Sequence, residues 1–319
     1  MIRTTLTDLL HIKYPVFNAP MAGSATAELA GAVSNSGGFG MLGMGSTVPD
    51  PERLEFQIKR MRDITANPFG VGFITSVDGI DSLVKLAIEN KVDLIGHSFS
   101  DPSPYIPDAK KAGIKVLAQV QTVEQAIHAR DSGVDLLVAQ GTDGGGHTGY
   151  IGTISIVPAV VDACPGIPVI AAGGITDGRG VAAALALGSS GVWIGSRFVA
   201  SNEWAGPDWV KQALTEIEAD DTIITKSYDL ATDAPFPYQV GHRVVRNLFT
   251  DKWHQNYVEL LERKEDLKTD IALAMENADL TVAPVNAGSG SGSIKSVDNV
   301  SEIIIALMDE AESILKNLI

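Results

Sequence analysis

The chain has 319 residues, 45% apolar and 20% charged, with 39 acidic against 24 basic side chains and a formal net charge of −15. This is the balance of a globular protein, long enough for one large α/β domain or a domain plus an insertion. The acidic surplus disfavours nucleic acid or an anionic membrane surface as partner. A single cysteine, Cys164, excludes an internal disulfide framework, and its place before Pro165-Gly166 at a predicted helix end reads as packing. No stretch has the apolar length of a signal peptide or membrane span, so the expectation is a cytoplasmic protein.

In chain order, short apolar runs predict strands at 16–19, 40–43, 70–75, 93–97, 115–120, 136–139, 169–172 and 192–195. Amphipathic or alanine-rich stretches between them predict helices at 25–36, 52–65, 80–89, 123–131 and 178–187. Continuous apolar runs mark strands buried on both faces. Eight of them with helices between point to a (β/α)8 TIM barrel, and the competing doubly wound sheet is less consistent with a count of eight. The pattern breaks after Arg197. Residues 201–285 carry three of the four tryptophans and read as a helical insertion after strand eight, with helices at 209–218 and 253–264. The expected organisation is a barrel of 1–200 and 286–319 interrupted by that insertion. The glycine-serine stretch within 285–297 reads equally as a flexible linker and as a loop against a ligand. A last helix, 299–318, would complete the outer ring.

Barrel active sites lie on the loops after the strands, and the informative motifs fall there. Strand six ends in QGTDGGGHTG, residues 140–149, with His147 after three glycines. Glycine backbone can approach a ligand where a Cβ would collide, and histidine is the side chain suited to proton transfer near neutral pH. Strand one ends in NAPMAG (18–23), strand seven in AAGGITDGRG (171–180) and strand eight in WIGSRF (193–198). The loops after strands seven and eight are the usual phosphate site of such barrels. Gly173 and Gly174 offer backbone amides there, Thr176-Asp177 begins a helix whose N-terminus attracts an anion, and Gly195 and Ser196 adjoin. A flat cofactor with a phosphoribityl tail suits this layout, with Gln140 on the polar edge of its ring. GFGMLG (38–43) spells the dinucleotide pattern GxGxxG, but a helix precedes it and a strand follows, the reverse of what that pattern needs. His11, His128, His242 and His254 read as surface or packing residues, whereas His97 at the end of strand four could face the mouth. No cluster has zinc-like spacing and no GxSxG elbow occurs.

NAPMAG, PFGV (68–71), AQGTDGGGHTG, PVIAAGGITDGRGVAAALALGSSGV and IGSRF together resemble the nitronate monooxygenase family, formerly called 2-nitropropane dioxygenases, over nearly the whole chain. The resemblance implies a TIM barrel with a helical insertion, non-covalent FMN, and oxidation of alkyl nitronates with O2 to carbonyl compounds and nitrite. It implies His147 as the base or as the donor that orients the nitronate, and Gln140 and Gly145 against the flavin. Gly173, Gly174, Trp193, Gly195 and Ser196 would line the phosphate site, and Ala19, Pro20 and Met21 the ring. Gly72 is carried as a cofactor-side position, standing where relatives read asparagine. Asp143-Gly144 replaces a usual Glu-Ala, and Gly288-Ser289 a usual Gly-Gln. These departures bear on the ring contacts and on substrate choice. An NAD(P)H-dependent FMN reductase of quinones or enoyl thioesters, on the same scaffold, is the alternative, and a non-catalytic barrel binding a phosphorylated metabolite a further one. A homodimer is compatible with either enzyme.

Overall fold

A computed structural model describes residues 2–45 and 48–317. In chain order its strands are β1 (Val16–Asn18), β2 (Gly40–Met44), β3 (Phe69–Ile74), β4 (Leu94–Ser98), β5 (Lys115–Val120), β6 (Leu136–Gln140), β7 (Gly146–Thr148), β8 (Val169–Ala172), β9 (Gly191–Ile194), β10 (Thr222–Thr225) and β11 (Gly241–Val245). All but β7, β10 and β11 form one parallel sheet, ordered β1-β9-β8-β6-β5-β4-β3-β2. A parallel bridge between Phe17 and Phe39 brings the two edge strands together, so the sheet wraps into a (β/α)8 barrel. Each of the eight expected strands is present within one residue of its expected bounds.

The continuous apolar runs follow from burial on both faces of each strand. Phe17, Met41, Leu94, Leu117, Leu136, Val138, Ile170 and Trp193 fill the barrel interior. Val16, Leu42, Val71, Ile95, Val116 and Val192 alternate with them and pack outward under the helices. In β3 the inward positions are glycines because neighbours occupy their space. A Cβ on Gly70 would lie 2.5 Å from Met41 Sδ, and one on Gly72 2.3 Å from Pro20 Cγ.

The outer helices begin on polar caps. Asp50 accepts from Arg53 N at the start of Pro51–Ile64, and Thr122 accepts from Gln125 N at the start of Val123–Ser132. Val300–Asn317 returns to the barrel as its last outer helix and abuts Gly178–Ala186, where Glu310 Oε2 accepts from Gly178 N at 2.8 Å. GFGMLG runs from a helix into β2, with a Cβ on Gly40 only 2.0 Å from the Ala30 carbonyl oxygen, so those glycines serve packing. Among the described residues no helix is long and apolar enough to cross a membrane.

The insertion differs from the all-helical expectation. β10 and β11 form an antiparallel hairpin, and β11 pairs in turn with β7. The expected helix 253–264 is broken: Leu248–Trp253, Tyr257–Glu262 and Lys264–Glu276 are separate, with Gln255 in the left-handed region at φ 68° between the first two. Tyr228, Val244, Phe249, Trp253, Leu260 and Leu267 form its own apolar cluster. The glycine-serine stretch is also not a free linker. Ser289–Ser293 is a turn of 3₁₀-helix, and Ser291 is fully buried.

Candidate active site

A cavity of about 620 Å³ opens at the C-terminal ends of the barrel strands. Of the expected site residues, Ala19, Pro20, Met21, Gln140, Gly145, His147, Gly173, Gly174, Trp193, Gly195 and Ser196 all line it. Gly72 is not among the lining residues and lies behind Pro20, supporting the floor. Among the described lining residues none is Asp, Glu, Lys or Arg.

One expected anion site is already taken. The N-terminus of Gly178–Ala186 donates to carboxylates of the protein itself: Asp177 Oδ1 accepts from Arg179 N and Gly180 N, and Glu310 from Gly178 N. The glycines beside it remain suited to a phosphate. Gly173 and Gly174 occupy the left-handed region at φ 109° and 72°. Their amides have no acceptor among the described residues. The 3₁₀ turn folds onto this corner. Gly288 N donates to Ser196 Oγ at 3.0 Å, and a Cβ on Gly290 would sit 2.4 Å from the Gly174 carbonyl oxygen.

That turn also explains the glycine run before His147. A Cβ on Gly145 would lie 2.5 Å from Gly288 N, so this glycine makes room for the protein's own loop. Gly146 adopts φ 70°, which turns the chain into β7. Gln140 is held from both sides, accepting from Gln121 Nε2 at 2.8 Å and donating to the His147 carbonyl at 3.0 Å.

His147 is the best-defined reactive group. β7 places it opposite His242 of β11, and the helix Ser227–Thr232 brings Asp229 to both. His147 Nε2 is 2.8 Å from Asp229 Oδ1, with both side chains almost buried. Burial holds the His147 imidazole down at about 4, against the pull of Asp229. For Asp229 burial acts upward, but the hydrogen bond from His147 and the nearness of the His242 ring outweigh it and keep the carboxyl well below its ordinary range. At neutral pH the pair is an imidazole beside a carboxylate, so Nε2–H donates to Asp229 and the free lone pair is on Nδ1. Phe236 lies over the ring, centroids 3.3 Å apart, and Phe99 meets it edge-on at 6.3 Å. Phe99 itself is strained, a bulky residue at φ 66°.

Asp229 and His242 escaped the sequence reading. Both sit in the insertion, and His242 was expected to be a packing residue, yet it lines the cavity and stacks on His147 at 4.3 Å. The β-branched pair Val244-Val245 was the one local sign of a strand there. His147, Asp229 and His242 offer three donor atoms within 4.8 Å of one another, a set that could hold a metal ion. The ring stack opposes that use. An imidazole lone pair lies in its ring plane, and two rings inclined by 16° cannot both aim in-plane at one ion about 2.1 Å away.

His97 does not face the mouth. It points outward from β4, 1% exposed, with Nδ1 3.0 Å from Thr75 Oγ1 and its ring stacked on Tyr105 at 4.9 Å. The inward positions of β4 are Leu94, Gly96 and Ser98, so strand parity excludes it. His11 caps a helix end and His128 pairs with Asp101 on the surface, away from the cavity.

Fold and site together define a (β/α)8 barrel with an almost buried histidine–aspartate pair at the mouth of its cavity. The family description for nitronate monooxygenases matches residues 3–82 and 74–310. The chain belongs to that family, and it is an oxidoreductase. A probable nitronate monooxygenase of Staphylococcus aureus is 35% identical over 272 residues, covering 71% of this chain and 76% of that protein. The (3aS,4S,5R,7aS)-5-hydroxy-7a-methyl-1-oxo-octahydro-1H-indene-4-carboxyl-CoA dehydrogenase of Mycobacterium tuberculosis is 34% identical over 253 residues, 79% of this chain and 68% of that one. Among solved structures, FabK from Thermotoga maritima superposes with a TM-score of 0.90 at 34% identity, covering 100% of this chain and 99% of that one. A nitroalkane oxidase from Streptomyces ansochromogenes gives a TM-score of 0.83 at 26% identity, over 98% and 99%.

Proposed function

We propose that the protein is an FMN-dependent nitronate monooxygenase, oxidising alkyl nitronates with O2 to carbonyl compounds and nitrite. The observation that carries this reading is the His147–Asp229 contact at the edge of a cavity with no charged lining side chain. A neutral imidazole with a fixed lone pair is the group that exchanges a proton with the carbon next to a nitro group. A small, largely apolar molecule fits such a cavity, whose lining is mostly apolar with a few convergent polar groups.

The residues present fit FMN. Consecutive left-handed glycines, Gly195-Ser196 and the turn at Gly288 and Gly290 form a compact, uncharged cradle for one phosphate. Close packing of Gly290 on Gly174 ends the cradle there, which favours a mononucleotide over a dinucleotide. When bound, the flavin supplies the acceptor for the substrate's electrons and the centre that reacts with oxygen. His147 holds or takes the proton at Nδ1, Asp229 fixes its tautomer, and Phe99 and Phe236 keep water from the ring. With a parent nitroalkane, His147 Nδ1 takes the α-proton and the bond pair moves into the nitro group, giving the nitronate in place.

The test is stoichiometric. Protein reconstituted with FMN and given ethyl nitronate should consume O2 and release acetaldehyde and nitrite in equal amounts. Failure to take up FMN, or turnover without nitrite, would overturn the proposal. The likeness to the Mycobacterium tuberculosis dehydrogenase favours a second reading, a reductase working on acyl thioesters with NAD(P)H.

A further inference from the structure

Asp229 does not serve His147 alone. His242 sets Nδ1 3.3 Å from the same Oδ1 atom that His147 Nε2 approaches at 2.8 Å. Its other nitrogen, Nε2, is 2.7 Å from Asn286 Oδ1. An amide oxygen only accepts, so Nε2 carries the proton and Nδ1 presents a lone pair toward the carboxylate. That Nδ1 is buried and has no hydrogen-bond partner among the described residues. A buried acceptor beside a carboxylate needs a reason, since burial without a donor is costly.

We propose that His242, held by Asn286 and stacked on His147 beside the same Asp229 oxygen, is a positioning residue that sets the orientation of the reacting imidazole and the ease with which it takes a proton. The proposal rests on the reading of His147 as the proton acceptor. Two stacked imidazoles beside one carboxylate hold one positive charge more readily than two, so the nearness of His242 bears on how easily His147 takes a proton. When His147 gains a proton from the substrate, the Asn286 contact keeps the His242 ring in place beside it. The stack keeps His147 in register, because β7 and β11 set His147 and His242 directly opposite each other.

The other groups facing this pair are few. Lys226 acts on both His147 and Asp229 by its charge, and its Nζ is turned onto the Val240 carbonyl. Tyr228 meets the His242 ring at 6.1 Å. Arg243, next along β11, is committed to the Thr142 carbonyl and Thr222 Oγ1. None of them replaces His242 as the second ring beside Asp229.

The test follows the His147 ring itself by NMR titration of the imidazole in FMN-loaded protein, so it remains informative whichever substrate is turned over. Two variants are used: His242→Gln, which keeps a polar reach to Asn286, and His242→Phe, which keeps the stack and removes both nitrogens. In both, the His147 ring should protonate about one pH unit higher than in the wild type, because Asp229 then faces one imidazole instead of two. The acid limb of kcat/KM with a nitroalkane should move the same way. His147 titrating at the wild-type pH in both variants would make His242 a packing residue and end the proposal.

Discussion

His147 and Asp229, 82 residues apart in the chain, meet at 2.8 Å because a barrel loop and an inserted hairpin share one small sheet. The barrel supplies the proposed base, and the insertion supplies the carboxylate beside it. Asp229→Asn should keep the fold but lose the tautomer control, since an amide does not stabilise an imidazolium as a carboxylate does. Turnover of a nitroalkane should fall by about 100-fold or more, with the FMN affinity little changed. Steady-state kinetics alongside flavin titration would check this, and undiminished kcat would refute the role given to Asp229.

A matching distinction separates substrate forms. His147→Asn removes the proton acceptor, so oxidation of a neutral nitroalkane should fall by about 100-fold, within the usual range for loss of a general base. Oxidation of the pre-formed nitronate should fall far less, because its proton has already gone. Rates with nitroethane and with ethyl nitronate on the same protein give the comparison. Equal losses on both would place His147 in binding instead of proton transfer.

The cofactor cradle can be tested through the packing of the turn 289–293. Gly145→Ala would drive a Cβ to within 2.5 Å of Gly288 N, and the turn must shift away from Ser196. FMN should bind roughly 10-fold more weakly, the effect of losing about 1.4 kcal/mol. Fluorescence titration with free FMN measures this directly. An unchanged dissociation constant would show that the turn does not form the phosphate corner.

His97 gives a pH prediction for stability. Burial depresses its imidazole from 6.5 to about 4, so the native state favours the neutral ring. Its contribution is complete above pH 6.5 and is lost as the pH falls toward 4, amounting to about 3 kcal/mol in all. His147 shifts in the same direction and adds to the trend. Urea unfolding between pH 7.5 and pH 4 should show the decline, and His97→Phe, which keeps the ring stack on Tyr105, should flatten it.

The barrel was legible because each strand is buried on both faces, so apolar runs of four to six residues stand out between glycine and polar turns. The corner of the cavity lined by Gly173-Gly174 and Gly195-Ser196 was legible for a similar reason, since both pairs fall at strand ends. Facing was harder to read. His97 and Ser98 are neighbours on β4, and only parity decides that Ser98 looks into the cavity. The second half of the site was not legible. Asp229 lies in the short helix Ser227–Thr232 and His242 on a five-residue strand, and their meeting with His147 depends on pairing across about a hundred residues. Composition left 288–293 open between a linker and a loop at the site, because glycine and serine equally allow the close approach to Gly174 and Gly145 that the packed turn requires.

Anaerobic mixing of the FMN-loaded protein with ethyl nitronate, and separately with NADH or NADPH, tests the central claim most directly. The account predicts prompt bleaching of the flavin by the nitronate and none by either nicotinamide on that timescale. Prompt bleaching by NADH or NADPH, with the nitronate inert, would contradict it and make the protein a reductase.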